Sequence, residues 1–221
     1  MEKTDAFDPE SYQTLLVEYA SGTLDEAHAL VVATHISLSR NGREQVTRYE
    51  HLGGSLLSGC CKPEPMKQDA FARLMERVEQ EEIRARECHE KAQKDCVDKD
   101  AMPGCLENYV KKCGKPVWKN KGEGIEILAM PTRCNHSCAR LVRLAPKTAL
   151  ELRARFFRQI VLVLEGTLTD GKRLFGRGDL AVLENGAHVV FTADPDDGSL
   201  CLLVCRAPGL SAWLRRLFLR R

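Results

Sequence analysis

From Gly124 onward the chain is a succession of short apolar runs cut by glycine, aspartate, asparagine and proline, and this texture limits the fold more than any other feature. The runs Ile125 to Met130, Ala139 to Leu144, Arg158 to Leu164, Leu180 to Glu184, His188 to Thr192 and Leu200 to Cys205 read as strands. Between them Glu165-Gly166, Thr169-Asp170-Gly171, Arg177-Gly178-Asp179 and Asn185-Gly186 supply turn chemistry. Six such strands predict a small antiparallel barrel or jelly roll over residues 123–221.

The other end has a helical period. Leu15, Leu16, Tyr19 and Ala20 make a short amphipathic helix that starts at Asp8-Pro9-Glu10, where proline suits a first helical position, and stops at Ser21-Gly22. Leu24, Ala27, Leu30, Val31, Thr34, His35 and Leu38 define a second helix, with Thr23 as its expected N-cap, Asp25 and Glu26 near its positive end, and Asn41-Gly42 as its stop. A third stretch, Arg43 to Leu57, carries Val46, Tyr49, Leu52, Leu56 and Leu57 and is interrupted at Gly53-Gly54. Three short helices over residues 1–60 bury little core alone, so they are expected to complete it against a partner or a neighbouring domain.

Between these halves, residues 61–122 are charged and cysteine-bearing. Cys60-Cys61-Lys62-Pro63-Glu64-Pro65 reads as a linker, because closely spaced prolines oppose helix. Phe71, Leu74, Val78, Ala85, Cys88, Ala92 and Cys96 then trace a thin seam on a solvated helix, followed by a turn at Asp100–Gly104 and a shorter helix from Cys105 to Gly114. Cys88 and Cys96 mirror Cys105 and Cys113 across that turn, so a helical hairpin brings the thiols together. Two nested disulfides, a four-thiolate metal site and unpaired thiols all remain open readings. Cys134 and Cys138 flank His136 on a loop and are further redox or soft-metal candidates, whereas Cys201 and Cys205 read as small strand residues facing one side.

The chain as a whole has 221 residues and a formal charge of +2, a balance that argues against nonspecific nucleic-acid binding as its main activity. Its polar start and the lack of a membrane-length apolar run predict a cytoplasmic protein. Ten cysteines in a reducing compartment point to metal ligands, redox thiols or buried small residues before fixed disulfides.

The run LLVEYASGTLDEAHALVVATHISLSRNGR, Leu15 to Arg43, resembles the zinc anti-sigma domain of the ChrR type. In that family a Val-Ala-Thr-His approach leads into a His-x3-Cys-x2-Cys zinc motif completed by an earlier histidine, and the domain holds an extracytoplasmic-function sigma factor away from RNA polymerase. Here His35 matches the motif histidine, but Ser39 and Gly42 stand at the cysteine positions and Glu10 at the earlier histidine. The run QIVLVLEGTLTDGKRLFGRGDLAVLENGAHVVF, Gln159 to Phe191, resembles a cupin, which ChrR-type proteins carry at this end. Of its usual metal ligands only His188 is matched, while Arg153, Arg155 and Gln159 occupy the other positions. Two guanidiniums cannot donate lone pairs to a cation, so those arginines either line an anion pocket or point to solvent.

The expectation is therefore an α+β multi-domain protein: a short helical bundle, a central helical hairpin and a C-terminal cupin barrel. The resemblance implies a non-enzymatic anti-sigma factor with no catalytic residues, no direct DNA binding and no membrane contact. Its sigma-binding surface, or the core behind it, would be formed by Leu15, Leu16, Tyr19, Leu30, Val31, Val46, Tyr49 and Leu52. No cofactor is assigned, zinc being available only through the cysteines. The competing expectation is a cupin ligand-binding protein or enzyme whose helical segment serves dimerisation.

Overall fold

The computed structural model describes residues 8–62, 64–65, 67, 69–80, 102–112, 117–122, 124–130, 132, 137–154 and 157–206. Contacts divide the chain into two units, one comprising Met1–Gly53 with Met102–Arg221 and the other Gly54–Ala101. In the first unit the helices lie against the strands and share one core with them.

Helix α1 (Pro9–Ala20) starts as expected: Asp8 is its N-cap, accepting from the backbone N–H of Ser11 at 3.0 Å, and Pro9 occupies the first turn. Helix α2 (Glu26–Leu38) starts later than expected. Its cap is Asp25 and not Thr23, because the Asp25 carboxylate accepts the His28 N–H at 3.1 Å. Nor does Asn41-Gly42 stop it. The chain leaves the helix at Ser39, which is extended, and enters α3 (Arg40–Cys60) one residue later, with the Ser39 hydroxyl accepting the Gly42 N–H at 3.2 Å as a cap. Helix α3 then runs through Gly53-Gly54 without a break.

Two antiparallel sheets follow. The first has the order β1-β2-β3-β10-β5-β8, formed by Lys119–Asn120, Ile125–Met130, Ser137–Leu144, Ser199–Arg206, Gln159–Gly166 and Leu180–Leu183 in that order across the sheet. The second has the order β4-β9-β6-β7, from Ala149–Arg153, His188–Ala193, Leu168–Thr169 and Leu174–Phe175. Each apolar run read from the sequence is a strand. The alternating segment Ala149–Arg153 is a strand that the apolar runs did not reveal, because only Leu150 and Leu152 on it are buried.

Both faces of the six-stranded sheet are covered. Val142, Val161, Val163, Ala181 and Leu203 pack on Leu150, Val189 and Phe191 of the four-stranded sheet. On the opposite face Leu141, Ile160, Leu162, Val182 and Leu202 pack with Leu15, Leu16, Val31 and Val32 of the helices. This is why β5 reads as continuous apolar sequence: a strand buried on both sides has no solvent face to make polar. The short helix α5 (Gly104–Lys112) closes the same layer through buried Leu106.

In the second unit, residues 70–80 form a helix, α4, whose Phe71, Leu74, Met75 and Val78 make an exposed apolar stripe beside charged residues. Cys88 and Cys96, with the rest of the expected hairpin arm, lie outside the described residues, as do Cys113, Cys134, His136, Arg155 and the basic tail after 206. No helix among the described residues is long and apolar enough to cross a membrane.

Candidate functional site

Helix α2 brings His35 into the interior at its last turn, where the ring is 4 % exposed. Its Nδ1 lies 2.8 Å from the Gly178 carbonyl oxygen and its Nε2 lies 2.9 Å from the Tyr12 hydroxyl. A carbonyl only accepts, so Nδ1 carries the proton, and the neutral ring accepts the Tyr12 O–H at Nε2. Burial holds the imidazole below its ordinary value of 6.5, against the opposing pull of the Gly178 carbonyl and Asp179, and this keeps it neutral. The chain Tyr12 O–H, His35, Gly178 thus ties α1, α2 and the turn between β7 and β8 together. Tyr12 also stacks edge-on to the imidazole, with 5.6 Å between ring centroids.

Two glycines make this fit. A Cβ at Gly42 would lie 2.6 Å from His35 Nε2, inside contact distance, so α3 can pass the ring only without a side chain there. Gly178 has φ +87°, and a Cβ on it would meet the Leu38 Cβ at 3.2 Å. A cavity of about 280 Å³ opens beside the ring, lined by Tyr12, His35, Ser39, Asn41, Phe175 and Asp179 among others.

At the other end of α2 the contacts are charged. Asp25 accepts from His28 Nδ1 at 2.8 Å. Burial raises the Asp25 carboxyl, but the side-chain and backbone hydrogen bonds of His28 outweigh it and hold the group below its usual range. Arg158, just ahead of β5, reaches Glu18 of α1 at 2.5 Å. A cavity of about 370 Å³ separates these groups and is lined by Glu18, Asp25, His28, Phe157, Arg158 and Arg206.

Within the sheets, Arg153 and His188 are register partners on β4 and β9, and both bond the Glu151 carboxylate. Their neighbours Leu152 and Val189 face the inter-sheet core, so Arg153 and His188 stand on the outer face of the four-stranded sheet. Gln159 is on the opposite sheet, its Nε2 donating to the Arg153 carbonyl at 3.1 Å. Arg153 thus pairs with Glu151 on the outer face, while Arg155, the other arginine of the expected anion pocket, lies outside the described residues.

No protein-family model matches the sequence. A curated relative, the anti-sigma-E factor ChrR of Cereibacter sphaeroides, is 29 % identical over 195 residues, covering 88 % of this chain and 87 % of its own. The crystal structure of Rhodobacter sphaeroides SigE in complex with the anti-sigma ChrR superposes with a TM-score of 0.67 at 23 % identity, over 92 % of this chain and 98 % of that one. The chain resembles the ChrR-type anti-sigma factors. An RmlC-like cupin from Shewanella frigidimarina covers 44 % of this chain at 14 % identity, with a TM-score of 0.39.

The ChrR-type zinc position does not suit zinc here. Both nitrogens of His35 are engaged by protein groups, Ser39 Oγ caps α3, Gly42 offers no ligand and Glu10 is exposed at the start of α1. Among the described residues no three His, Cys, Asp or Glu side chains cluster in a metal-binding arrangement. In place of a tetrahedral ion, the ChrR-type motif histidine sits in a hydrogen-bonded strut. Tyr12 and Gly178 escaped the sequence reading: the first was not singled out, and the second was read as a turn glycine.

The residues expected at the ChrR-type sigma surface divide. Leu15, Leu16, Leu30, Val31 and Val46 are buried in the helix–sheet core, and Tyr19 and Tyr49 are packed at its margin. Leu52 is 59 % exposed, and beyond it Leu56 and Leu57 are exposed too. Among the cysteines, Cys105 lies 3.6 Å from the Thr34 hydroxyl on α2. Cys201 is wholly buried and its thiol is pushed up to about 12 by burial. Cys138 lies beside Cys205, a neighbour that the sequence reading did not give it.

Proposed function

We propose that this chain is an anti-sigma factor that sequesters an extracytoplasmic-function sigma factor by occlusion, not catalysis, in the cytoplasm. The observation that carries the reading is the match to an anti-sigma-E factor along nearly nine-tenths of both chains, at 29 % identity. The fold shared with the ChrR partner of SigE supports it.

The surface that fits this role is on α3. Val46 and Tyr49 dock the first half of the helix on the core, and the same apolar stripe then continues uncovered through Leu52, Leu56 and Leu57. A stripe of large exposed side chains on one helix suits the groove between the helices of a sigma factor. Residues 1–60 carry this contact, 61–122 form a cysteine-bearing connector, and 123–221 form the cupin, with its two sheets as the halves of a jelly-roll barrel. Zinc has no role at His35; zinc carried by this chain would be held by the cysteines between 88 and 138.

The test is co-expression with a tagged extracytoplasmic-function sigma factor from the same genome. The chain is expected to copurify in equal amount, and the double variant Leu52→Asp, Leu56→Asp is expected to lose capture while keeping its melting temperature. Equal capture by the variant would move the surface elsewhere; no capture of any such sigma factor by the wild type would overturn the reading.

A further inference from the structure

Strands β3 and β10 pair with Cys138 directly opposite Cys205, and their sulfur atoms stand 2.9 Å apart. Directly paired residues on antiparallel strands hold their Cα atoms about 4.5–5.5 Å apart, inside the range a disulfide spans. Bringing the sulfurs to the bonded distance of about 2.05 Å takes roughly 0.9 Å of side-chain movement and no change of register. Both residues are half-buried, at the end of the sheet where β3 begins and β10 ends. Gln159, the partner of Cys205 on β5, completes a row across three strands; its Oε1 is buried without a hydrogen-bond partner among the described residues.

We propose that Cys138 and Cys205 form a dithiol site that a hydroperoxide oxidises to a cross-strand disulfide. Cys138 is the attacking group. The contact with Cys205 lowers its thiol from the ordinary value, and Arg140 adds to that pull, against the raising effect of burial. A lowered thiol supplies more of the thiolate, the nucleophilic form, at a given pH. The thiolate sulfur attacks the terminal oxygen of the hydroperoxide, the S–O bond forms, the O–O bond breaks, and the departing alkoxide or hydroxide takes a proton from water. The resulting sulfenic acid is attacked by the Cys205 sulfur. That step forms the S–S bond, breaks the S–O bond and releases water, with the Cys205 proton leaving on the hydroxide. Two thiols lose two electrons in total and the hydroperoxide is reduced to an alcohol, or to water.

The site differs from the sequence reading, which grouped Cys138 with Cys134 and His136 on one loop as redox or soft-metal candidates. It stands whether or not the chain binds a sigma factor. On β3 and β10 the two cysteines share a face with Val142 and Leu203, the face turned toward the four-stranded sheet and away from α2.

The experiment treats the reduced full-length protein with hydrogen peroxide, blocks remaining thiols with iodoacetamide and maps tryptic peptides without reduction. The expected product is a linked peptide pair containing Cys138 and Cys205, formed faster than any product at exposed Cys60 or Cys61. Cys205→Ser is expected to halt at a dimedone-reactive sulfenic acid on Cys138, and Cys138→Ser to lose both products. Linkage of Cys138 to Cys134, or a Cys138–Cys205 pair still fully alkylated when Cys60 and Cys61 have reacted, would overturn the proposal.

Discussion

At its C-terminal end α2 is held to the sheets by neutral hydrogen bonds that satisfy both ring nitrogens of His35, whereas at its N-terminal end the same helix begins among charged side chains. The first junction is closed by two glycines and leaves no spare ligand; the second borders a cavity of about 370 Å³ lined by Glu18, Asp25, His28, Arg158 and Arg206. Neutral buried hydrogen bonds are indifferent to salt, while partly exposed ion pairs respond to it. The contrast implies a fixed end and a responsive end. The His35 junction is the fixed end, and response is left to other residues.

The sharpest way to break the fixed end is to restore a side chain at Gly42. Gly42→Ala places a methyl 2.6 Å from His35 Nε2, at a buried position of α3. Overpacking of this kind costs about 2 kcal/mol, which lowers the melting temperature by about 4–8 °C in a chain of this length. Tyr12→Phe is the milder disruption, leaving Nε2 with no donor; a loss of about 1–2 kcal/mol in denaturant unfolding is expected.

Acid distinguishes the same junction by sign. His35 is held below 6.5 by burial, so the unfolded chain takes the proton more readily than the folded one. Its contribution to stability is complete above the unfolded value and is lost as the pH falls through and below it. Melting temperatures followed from about pH 8 to about pH 5 should decline on the acid side, and His35→Gln should flatten that decline. A variant whose acid profile matches the wild type would remove His35 from the account. Asp25, held low by His28, adds loss of the same sign only at more acid pH.

The responsive end should give the smallest thermodynamic effect. The Glu18–Arg158 pair is partly exposed, at 35 % and 21 % of the side chains, so Arg158→Gln is expected to cost only about 0.5–1 kcal/mol. Raising the salt from about 0.1 M to about 1 M should erase that difference while leaving the Tyr12→Phe effect intact. Equal salt sensitivity of the two variants would remove the distinction between the ends.

Much of this was readable in the sequence. Apolar runs and turn glycines placed the six longer apolar strands, and Pro9 after Asp8 placed α1. The boundary between α2 and α3 was misread because Asn41-Gly42 looks like a helix stop. Only the three-dimensional fit shows Gly42 admitting an imidazole inside the next helix, with Ser39 capping it. Likewise Ala149–Arg153 lacks an apolar run, since one of its faces is solvent. The loss of metal ligands was legible at Ser39, Gly42 and Arg153, but what replaced them was not. Tyr12 and Gly178 lie 23 and 143 residues from His35, and no local pattern announces a contact of that span. Cys205 was hidden for the same reason: same-strand spacing read it, with Cys201, as a small residue facing one side, while cross-strand register pairs it with Cys138.

The central claim is that this chain grips a sigma factor without zinc at His35, and metal analysis of the copurified complex tests it most directly. The complex, dialysed against a strong zinc chelator, is predicted to stay intact, with the helical segment and its Tyr12–His35 bond unchanged by the treatment. Stoichiometric zinc whose removal releases the sigma factor, and whose retention depends on His35, would contradict the account.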